Sequence, residues 1–420
     1  MGDILFLTHR IPYPPNKGDK IRSYHLLQFL RRLGPVHLGC FVDDAEDWAH
    51  VKALEALCAA VHCVPLGRRW AALKSGLAFF TGEAQSVRFY GHDAMRNWVE
   101  ATLARENIDR LVAFSSTMAP YVLPYRSNNR RLVMDFVDVD SEKWRQYAQC
   151  RRGPMRWLYR REAMKLLAFE RLVASQVDAS LFVSEAEAAL FRRLAPQARD
   201  VHAIANGVDA RHFDPAQVTA ADLGDGPVLV FTGAMDYWAN ADAVTWFVRE
   251  SWPLVLARHP SARLYIVGAK PLPAVKSLAH AAGVVVTGRV PDVRHYLKAA
   301  RLAIAPMRIA RGIQNKVLEA MAMARPVVTT SAGLEGIDAP PGEALYVADE
   351  AAGFARAVGA LLEDAPAAEE MGARARRLVC ARHDWHASLA PLTRLLGGEG
   401  AGADPRHSPG AREERQVLGR

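Results

Sequence analysis

The chain has 420 residues, half of them hydrophobic, and a formal net charge of +8. That length exceeds one ordinary domain and predicts two. The basic balance suits nucleotide diphosphates, anionic lipid or nucleic acid, or is simply a solvated basic surface, and charge alone leaves these open.

Five cysteines, Cys40, Cys58, Cys63, Cys150 and Cys380, are scattered and odd in number. No pair has zinc-finger or redox spacing, so they read as reduced, mostly buried thiols of a cytosolic protein. The N-terminus runs straight into the apolar stretch Ile4 to Leu7, without a basic n-region or a signal-peptide h-region. No run approaches the roughly 20 apolar residues of a membrane span. A cytoplasmic protein is expected, with any membrane contact peripheral, at the inner face of the cytoplasmic membrane.

Short β-type runs alternate with amphipathic stretches along the chain. Strands are predicted at 3–8, 36–42, 61–65, 110–114, 131–136, 179–183 and 200–204. Helices fall between them at 18–33, 45–59, up to about 106, up to 176, and 185–194. In the second half, strands are predicted at 228–232, 263–267, 284–287, 302–306, 326–330 and near 344–347. Helices there are 240–258, 273–282, 292–299, 313–324, 351–364 and 366–381. The alternation predicts an α/β protein, with parallel sheets covered by helices on both faces. A seam lies between Asn206 and Pro227, where Asn206-Gly207-Val208-Asp209, Asp214-Pro215 and Gly224-Asp225-Gly226-Pro227 signal turns. The expected division is 1–214 and 215–380, two Rossmann-like domains, then a short helix at 381–396 and a disordered tail at 397–420.

The densest chemistry runs from Ala305 to Val328. An apolar strand ends, a loop carries Arg308 and Arg311, and Gly312 opens a helix that places Lys316 and Glu319 on one face. A basic glycine loop at a helix N-terminus holds phosphorylated ligands. Glu319 is followed by Ala320, Met321, Ala322 and Met323, and an acid in so apolar a helix needs a partner. That partner is a ribose diol or, structurally, Lys316 or Arg325.

Other candidates sit at strand ends. Thr8 to Lys20 leaves the first strand, and Gly18, flanked by Lys17 and Lys20, would let the backbone approach a phosphate. Gly233 ends the first strand of the second half, with Asn240 as a helix N-cap. Gly268 and Thr287-Gly288-Arg289-Val290 end the next two. Asp138-Val139-Asp140 has an Asp-x-Asp form, but it precedes Ser141 and reads as an N-cap rather than a metal site. Arg151, Arg152, Arg156, Arg160, Arg161 and Lys165, interleaved with Met155, Trp157, Leu158 and Tyr159, suit an anionic membrane surface or the solvated face of a core helix. No P-loop, GxSxG or HExxH motif is present, and the basic residues form no nucleic-acid module.

These residues resemble the GT-B glycosyltransferases of glycosyltransferase family 4, up to about Leu396. The carriers are the Pro-rich first loop with Gly18, Val183-Ser184-Glu185, Asn206-Gly207-Val208-Asp209 with Phe213 and Pro215, and Phe231-Thr232-Gly233. Val267-Gly268, Thr287-Gly288-Arg289-Val290, and Lys316 through Glu319 to Arg325-Pro326-Val327 complete them. The run Arg311 to Ala322, with Thr232 to Asn240, looks like the sugar-transferase subgroup of exosortase and exopolysaccharide systems.

The resemblance implies two facing Rossmann-like domains, with parallel sheets and a C-terminal helix crossing back. It implies retaining transfer from a nucleotide-sugar donor to a glycan or lipid-linked acceptor, without metal or other cofactor and without nucleic acid. Arg311, Lys316 and Glu319 form the implied catalytic set. Gly18, Gly233, Gly288, Arg289, Val290, Gly312 and Asn315 face the donor, and His9 and Asp138 the acceptor. Glu319 would bind the ribose, Gly18 the diphosphate, and 288–290 the base. The family's paired-glutamate motif has its first Glu where this chain has Arg311, and many members carry a His where this chain has Phe114-Ser115-Ser116-Thr117. Rival readings are an inert nucleotide-sugar-binding component of a polysaccharide assembly and a sugar-nucleotide epimerase.

Overall fold

The structure, a computed structural model, describes residues 2–15, 18–67, 82–149, 151–310 and 313–397. Lys17, Cys150, Arg311, Gly312 and the tail beyond residue 397 lie outside the described residues.

The first sheet is built from β1 (Asp3–Thr8), β2 (Val36–Val42), β3 (Ala60–Pro65), β4 (Ile108–Phe114), β5 (Arg131–Val137), β6 (Ala179–Phe182) and β7 (Val201–Ala203), in the order β3-β2-β1-β4-β5-β6-β7. The second holds β8 (Val228–Thr232), β9 (Arg263–Val267), β10 (Val284–Gly288), β11 (Leu302–Ala305), β12 (Val327–Thr329) and β13 (Tyr346–Val347), in the order β10-β9-β8-β11-β12-β13. All pairings are parallel. Central strands such as Ile4 to Leu7 are wholly buried, as sheets covered on both faces require. Each order reverses once, between β1 and β4 and between β8 and β11. Crevices at the carboxyl ends of strands open at such switch points.

The helices that matter below are α1 (Gly18–Leu30), α2 (Asp140–Gln149), α3 (Gly153–Gln176), α4 (Trp238–Trp246), α5 (Asn315–Ala322), α6 (Trp385–Leu389) and α7 (Pro391–Leu395). The stretch read as one helix over 240–258 is three pieces. A π turn at Phe247–Ser251 separates α4 from Trp252–Leu256. Pro253 lacks an N–H and clashes with the preceding turn, so the ladder shifts register there. The stretch 45–59 is a 3₁₀ turn, Ala45–His50, running into a short helix, Val51–Glu55. Helix α5 starts at Asn315 rather than 313. Gln314 is extended at φ −85° and ψ 99°, and Ile313 is buried in the second core.

The second sheet has one continuous core, and the two faces of the first sheet have one each. Helices α6 and α7 cross back to the first half, where Trp385, Leu389, Leu392 and Leu395 are buried in its core. Each contributes roughly 2 kcal/mol by leaving water. The Trp385 ring stacks on His25 of α1 with centroids 4.6 Å apart. The two crossings touch: Val208 N donates to His383 O at 2.7 Å, and a Cβ on Gly207 would lie 2.7 Å from Trp385 N.

Candidate active site

The switch point of the second sheet gathers the Lys316 end of α5, the end of β8 and the start of α4. Lys316 Nζ donates to Asn240 Oδ1 at 2.6 Å and lies 4.9 Å from the Phe231 ring centroid. Asn240 is not the helix cap that its position suggested. It sits inside α4, and its Nδ2 donates to Ala234 O at 2.9 Å, which turns its oxygen towards Lys316. The two glycines are steric requirements of this cradle. A Cβ on Gly233 would lie 2.7 Å from Asn240 Nδ2, and one on Gly268 would lie 1.7 Å from Gly233 O.

Lys316 and Glu319 share a half-buried face of α5. Burial pulls the Lys316 ammonium down to about 8, against the attraction of Glu319. Burial pushes the Glu319 carboxyl up to about 7, against the attraction of Lys316. Both ionisations therefore fall near neutrality. Neither structural partner considered for Glu319 takes its carboxylate. Lys316 binds Asn240, and Arg325 donates to Ala300 O and Met323 O. Among the described residues, Glu319 thus keeps its acceptor capacity. Among the described residues no side chain caps α5. Arg308 in the preceding loop is already bound by Asp242, at 2.6 and 3.0 Å.

Around this cradle, Gly288 ends β10 at φ +71° with open space at its Cβ position. Arg289 is exposed and 3.4 Å from Glu46 Oε2, and Val290 packs against the second core. Asn315 Oδ1 accepts from Asn206 Nδ2 at 3.3 Å.

The first sheet's switch point presents His9 at the end of β1. Its ring stacks on Phe114 at the end of β4, with centroids 5.6 Å apart and 9° between planes, and its Nε2 is 3.5 Å from Asp19 Oδ2. Burial alone would raise the Asp19 carboxyl, but His9 and Arg10 outweigh it and hold it below the usual range. Gly18 opens α1 with nothing within 4 Å of a Cβ position. Lys20, expected to add charge beside Gly18, is buried and paired with Asp47 at 2.7 Å. Next to His9, Ser115 and Val137 adopt φ +76° and +71° at the ends of β4 and β5. A β-branched residue there is strained, and such strain clusters at functional sites.

Asp138 caps no helix. The Ser141 and Val139 amides at the start of α2 donate to Glu170 and Glu187, while Asp138 and Asp140 hold Lys143 at 2.7 and 3.1 Å. That lysine neutralises the Asp-x-Asp pair. Among the described residues the buried Asp138 Oδ1 atom has no partner.

Several contacts tie the two crevices together. Arg22 of α1 binds Asp135 at 2.8 Å and donates to Ile204 O and Asn206 Oδ1, both at 2.9 Å. Asn206 then reaches Asn315, so a buried ion pair of the first half braces the start of α5. Lys270 meets Asp44 at 3.6 Å, and Tyr147 of α2 meets Trp238 of α4, with ring centroids 6.1 Å apart. Sequence reasoning missed Arg22 and the His9–Phe114 stack, since neither carries a local signal.

One His/Asp/Glu group among the described residues could hold a metal: Asp3, His37 and Glu106. It lies at the amino ends of β1 and β2, away from both crevices. At the start of α3, Arg151, Arg152, Arg156 and Arg160 are exposed, with Met155 at 45% and Trp157 at 62% exposure. Arg161 is buried and does not join that face. Among the described residues no helix is long and apolar enough to cross a membrane.

Residues 226–364 match the family model described as glycosyl transferases group 1. Sucrose-phosphate synthase from Thermosynechococcus elongatus superposes with a TM-score of 0.68 at 18% identity, covering 94% of this chain and 98% of that one. HepE of Anabaena, solved with UDP and glucose, gives a TM-score of 0.67 at 16% identity, over 95% of this chain and 100% of that one. A glycosyltransferase from Rickettsia africae gives 0.62 at 13% identity, over 95% and 99%. No curated protein matches the chain by sequence. The whole chain therefore has the GT-B fold, and the matched stretch 226–364 lies in the half that holds the Lys316 cradle.

Proposed function

We propose that the protein is a retaining glycosyltransferase that moves a sugar from a nucleotide-diphosphate donor to a glycan or lipid-linked acceptor. The observation that carries this reading is the pairing of Lys316 and Glu319 on α5. They are a cation held by a neutral amide and an acid with its acceptor capacity unspent, both ionising near neutrality, beside an uncapped helix N-terminus at a switch point.

Breaking the anomeric C–O bond leaves a nucleoside diphosphate with growing negative charge. Lys316 and the amides of α5 face that charge, and stabilising it is the largest single term in such a transfer. Ionised Glu319 accepts from the two ribose hydroxyls. The segment 288–290 faces the base, Gly18 and Gly233 leave room for the diphosphate, and Asn315 orients the first turn of α5. Arg311 and Gly312 complete the donor set by sequence. The charge is met by protein groups, so no metal is assigned. The donor phosphate takes the acceptor proton, which is consistent with retention. His9 and Asp138 face the acceptor. His9 brings an imidazole to the end of β4, where this chain's own Phe114-Ser115-Ser116-Thr117 has none.

HepE has been solved with UDP and with UDP-glucose, which makes a uridine donor the first to test. The exopolysaccharide setting rests on the resemblance of the Arg311–Ala322 run, and a peripheral membrane contact rests on the exposed start of α3. The test is thermal shift of wild type and Glu319→Ala with UDP-, GDP-, dTDP- and ADP-sugars, followed by nucleotide release. Stabilisation by one nucleotide class, lost in the variant, together with sugar transfer, supports the reading. Binding without turnover favours the inert component, and release of an altered sugar without acceptor favours the epimerase.

A further inference from the structure

Three of the cysteines that look unrelated in sequence meet in the first half. Strands β2 and β3 pair in parallel with Cys40 opposite Cys63 in register. Their sulfurs are 3.5 Å apart. Cys40 is wholly buried, whereas Cys63 is half-buried on the sheet's edge strand. Cys58 lies in the same hydrophobic cluster. The described cysteines are free thiols, as the sequence suggested; register rather than sequence spacing brings these two together.

We infer that Cys40 and Cys63 form an oxidation site, a neighbouring dithiol that a peroxide-class oxidant converts into an intrachain disulfide. Neighbouring strands lie about 4.8 Å apart, so an in-register pair falls within the roughly 4.4–6.8 Å that disulfides span between Cα atoms. The sulfurs need to close by only about 1.5 Å to bond, a side-chain rotation rather than a backbone movement.

The two thiols are unequal in the way the chemistry needs. The two sulfurs share one S–H···S contact in which either can donate; with Cys40 donating, the contact lowers the Cys63 thiol, while that contact and burial raise Cys40. Cys63 is thus both the more exposed sulfur and the better thiolate. Its thiolate attacks one oxygen of the peroxide, the O–O bond breaks, and the departing oxygen leaves as water or alcohol. This gives a sulfenic acid on Cys63. The Cys40 sulfur then attacks that sulfur, the S–O bond breaks, and the S–H proton leaves with the hydroxyl as water. Two thiols and one peroxide become one disulfide, one water and one further water or alcohol. Cys58 is near enough to compete, but it has no register partner.

The site stands apart from the Lys316 cradle, so its test does not depend on the transfer reaction. The full-length reduced protein is treated with a small excess of hydrogen peroxide, quenched with a thiol-blocking reagent and mapped by peptide mass spectrometry. The expected result is a Cys40–Cys63 linkage that forms before exposed Cys380 is modified, is reversed by dithiothreitol and still forms in Cys58→Ser. In Cys63→Ser, Cys40 stays reduced under the same treatment. A linkage through Cys58, modification of Cys380 first, or Cys63 oxidised to sulfinic acid without a bond to Cys40 would overturn the inference. The wild-type map decides it even if a serine variant folds poorly.

Discussion

The two crevices handle charge differently. In the first half, nearly every cation near the strand ends is already matched: Arg10 by Asp19 and Asp43, Lys20 by Asp47, Arg22 by Asp135, and Lys143 by Asp138 and Asp140. In the second, Lys316 has a neutral amide and Glu319 keeps its acceptor capacity. Matched charges hold a fold in place, whereas unmatched, half-buried ones are kept for something that arrives. The contrast supports the proposed reading, in which the Lys316 side carries the donor chemistry, and it separates that side from the basic loop of the first half, whose Lys20 is already neutralised.

The sharpest way to break this contrast is Arg22→Ala. It strips a wholly buried Asp135 of its partner, so folding stability should fall by about 3–5 kcal/mol. Denaturant melts would read this; a loss below about 1 kcal/mol would mean that the pair is not structural. Lys316→Ala should do the opposite. It lowers kcat by roughly 10²–10³-fold, or about 3–4 kcal/mol of transition-state stabilisation, with melting little changed. Wild-type turnover in that variant would end the assignment.

Glu319→Ala should weaken donor binding by about tenfold to a hundredfold, as loss of a charged hydrogen-bonding partner does, and calorimetry with the nucleotide would show it. The pH dependence sharpens the same point. Glu319 must be ionised to accept and Lys316 protonated to neutralise, so activity should peak between about 7 and 8. Stability should run the other way. The raised Glu319 value favours the fold fully below about 4.5, and that contribution is lost as pH rises through about 7. The depressed Lys316 value favours the fold above about 10.5 and is lost as pH falls through about 8. Glu319→Gln should therefore raise the melting temperature more at pH 8 than at pH 5; an equal shift at both would contradict its burial as an acid.

The smallest effect belongs to the exposed bridge between halves. Arg289→Ala removes a loose pair with Glu46 and should change stability by less than about 1 kcal/mol. A larger change in donor affinity at low salt would show instead that Arg289 serves the ligand.

Strand positions were largely legible because apolar runs and turn residues act locally. The misreadings have a common cause. Asn240 and Lys20 found their partners far along the chain: Lys316 is 76 residues from Asn240, and Asp47 is 27 from Lys20. Asp138 kept a near partner, Lys143, but lost the cap to Glu170 and Glu187. A side chain's partner is set by which strands become neighbours, and local pattern does not carry that information.

By itself, the sequence determined the alternation of strands and helices that builds two parallel sheets, and the placing of Lys316 and Glu319 on one helical face, since periodicity and turn chemistry are properties of short windows. The tertiary structure alone decided which charges were neutralised, that Arg22 braces the start of α5 through Asn206 and Asn315, and that Cys40 lies opposite Cys63. Those depend on strand order and register, which form when distant segments bury their apolar faces together.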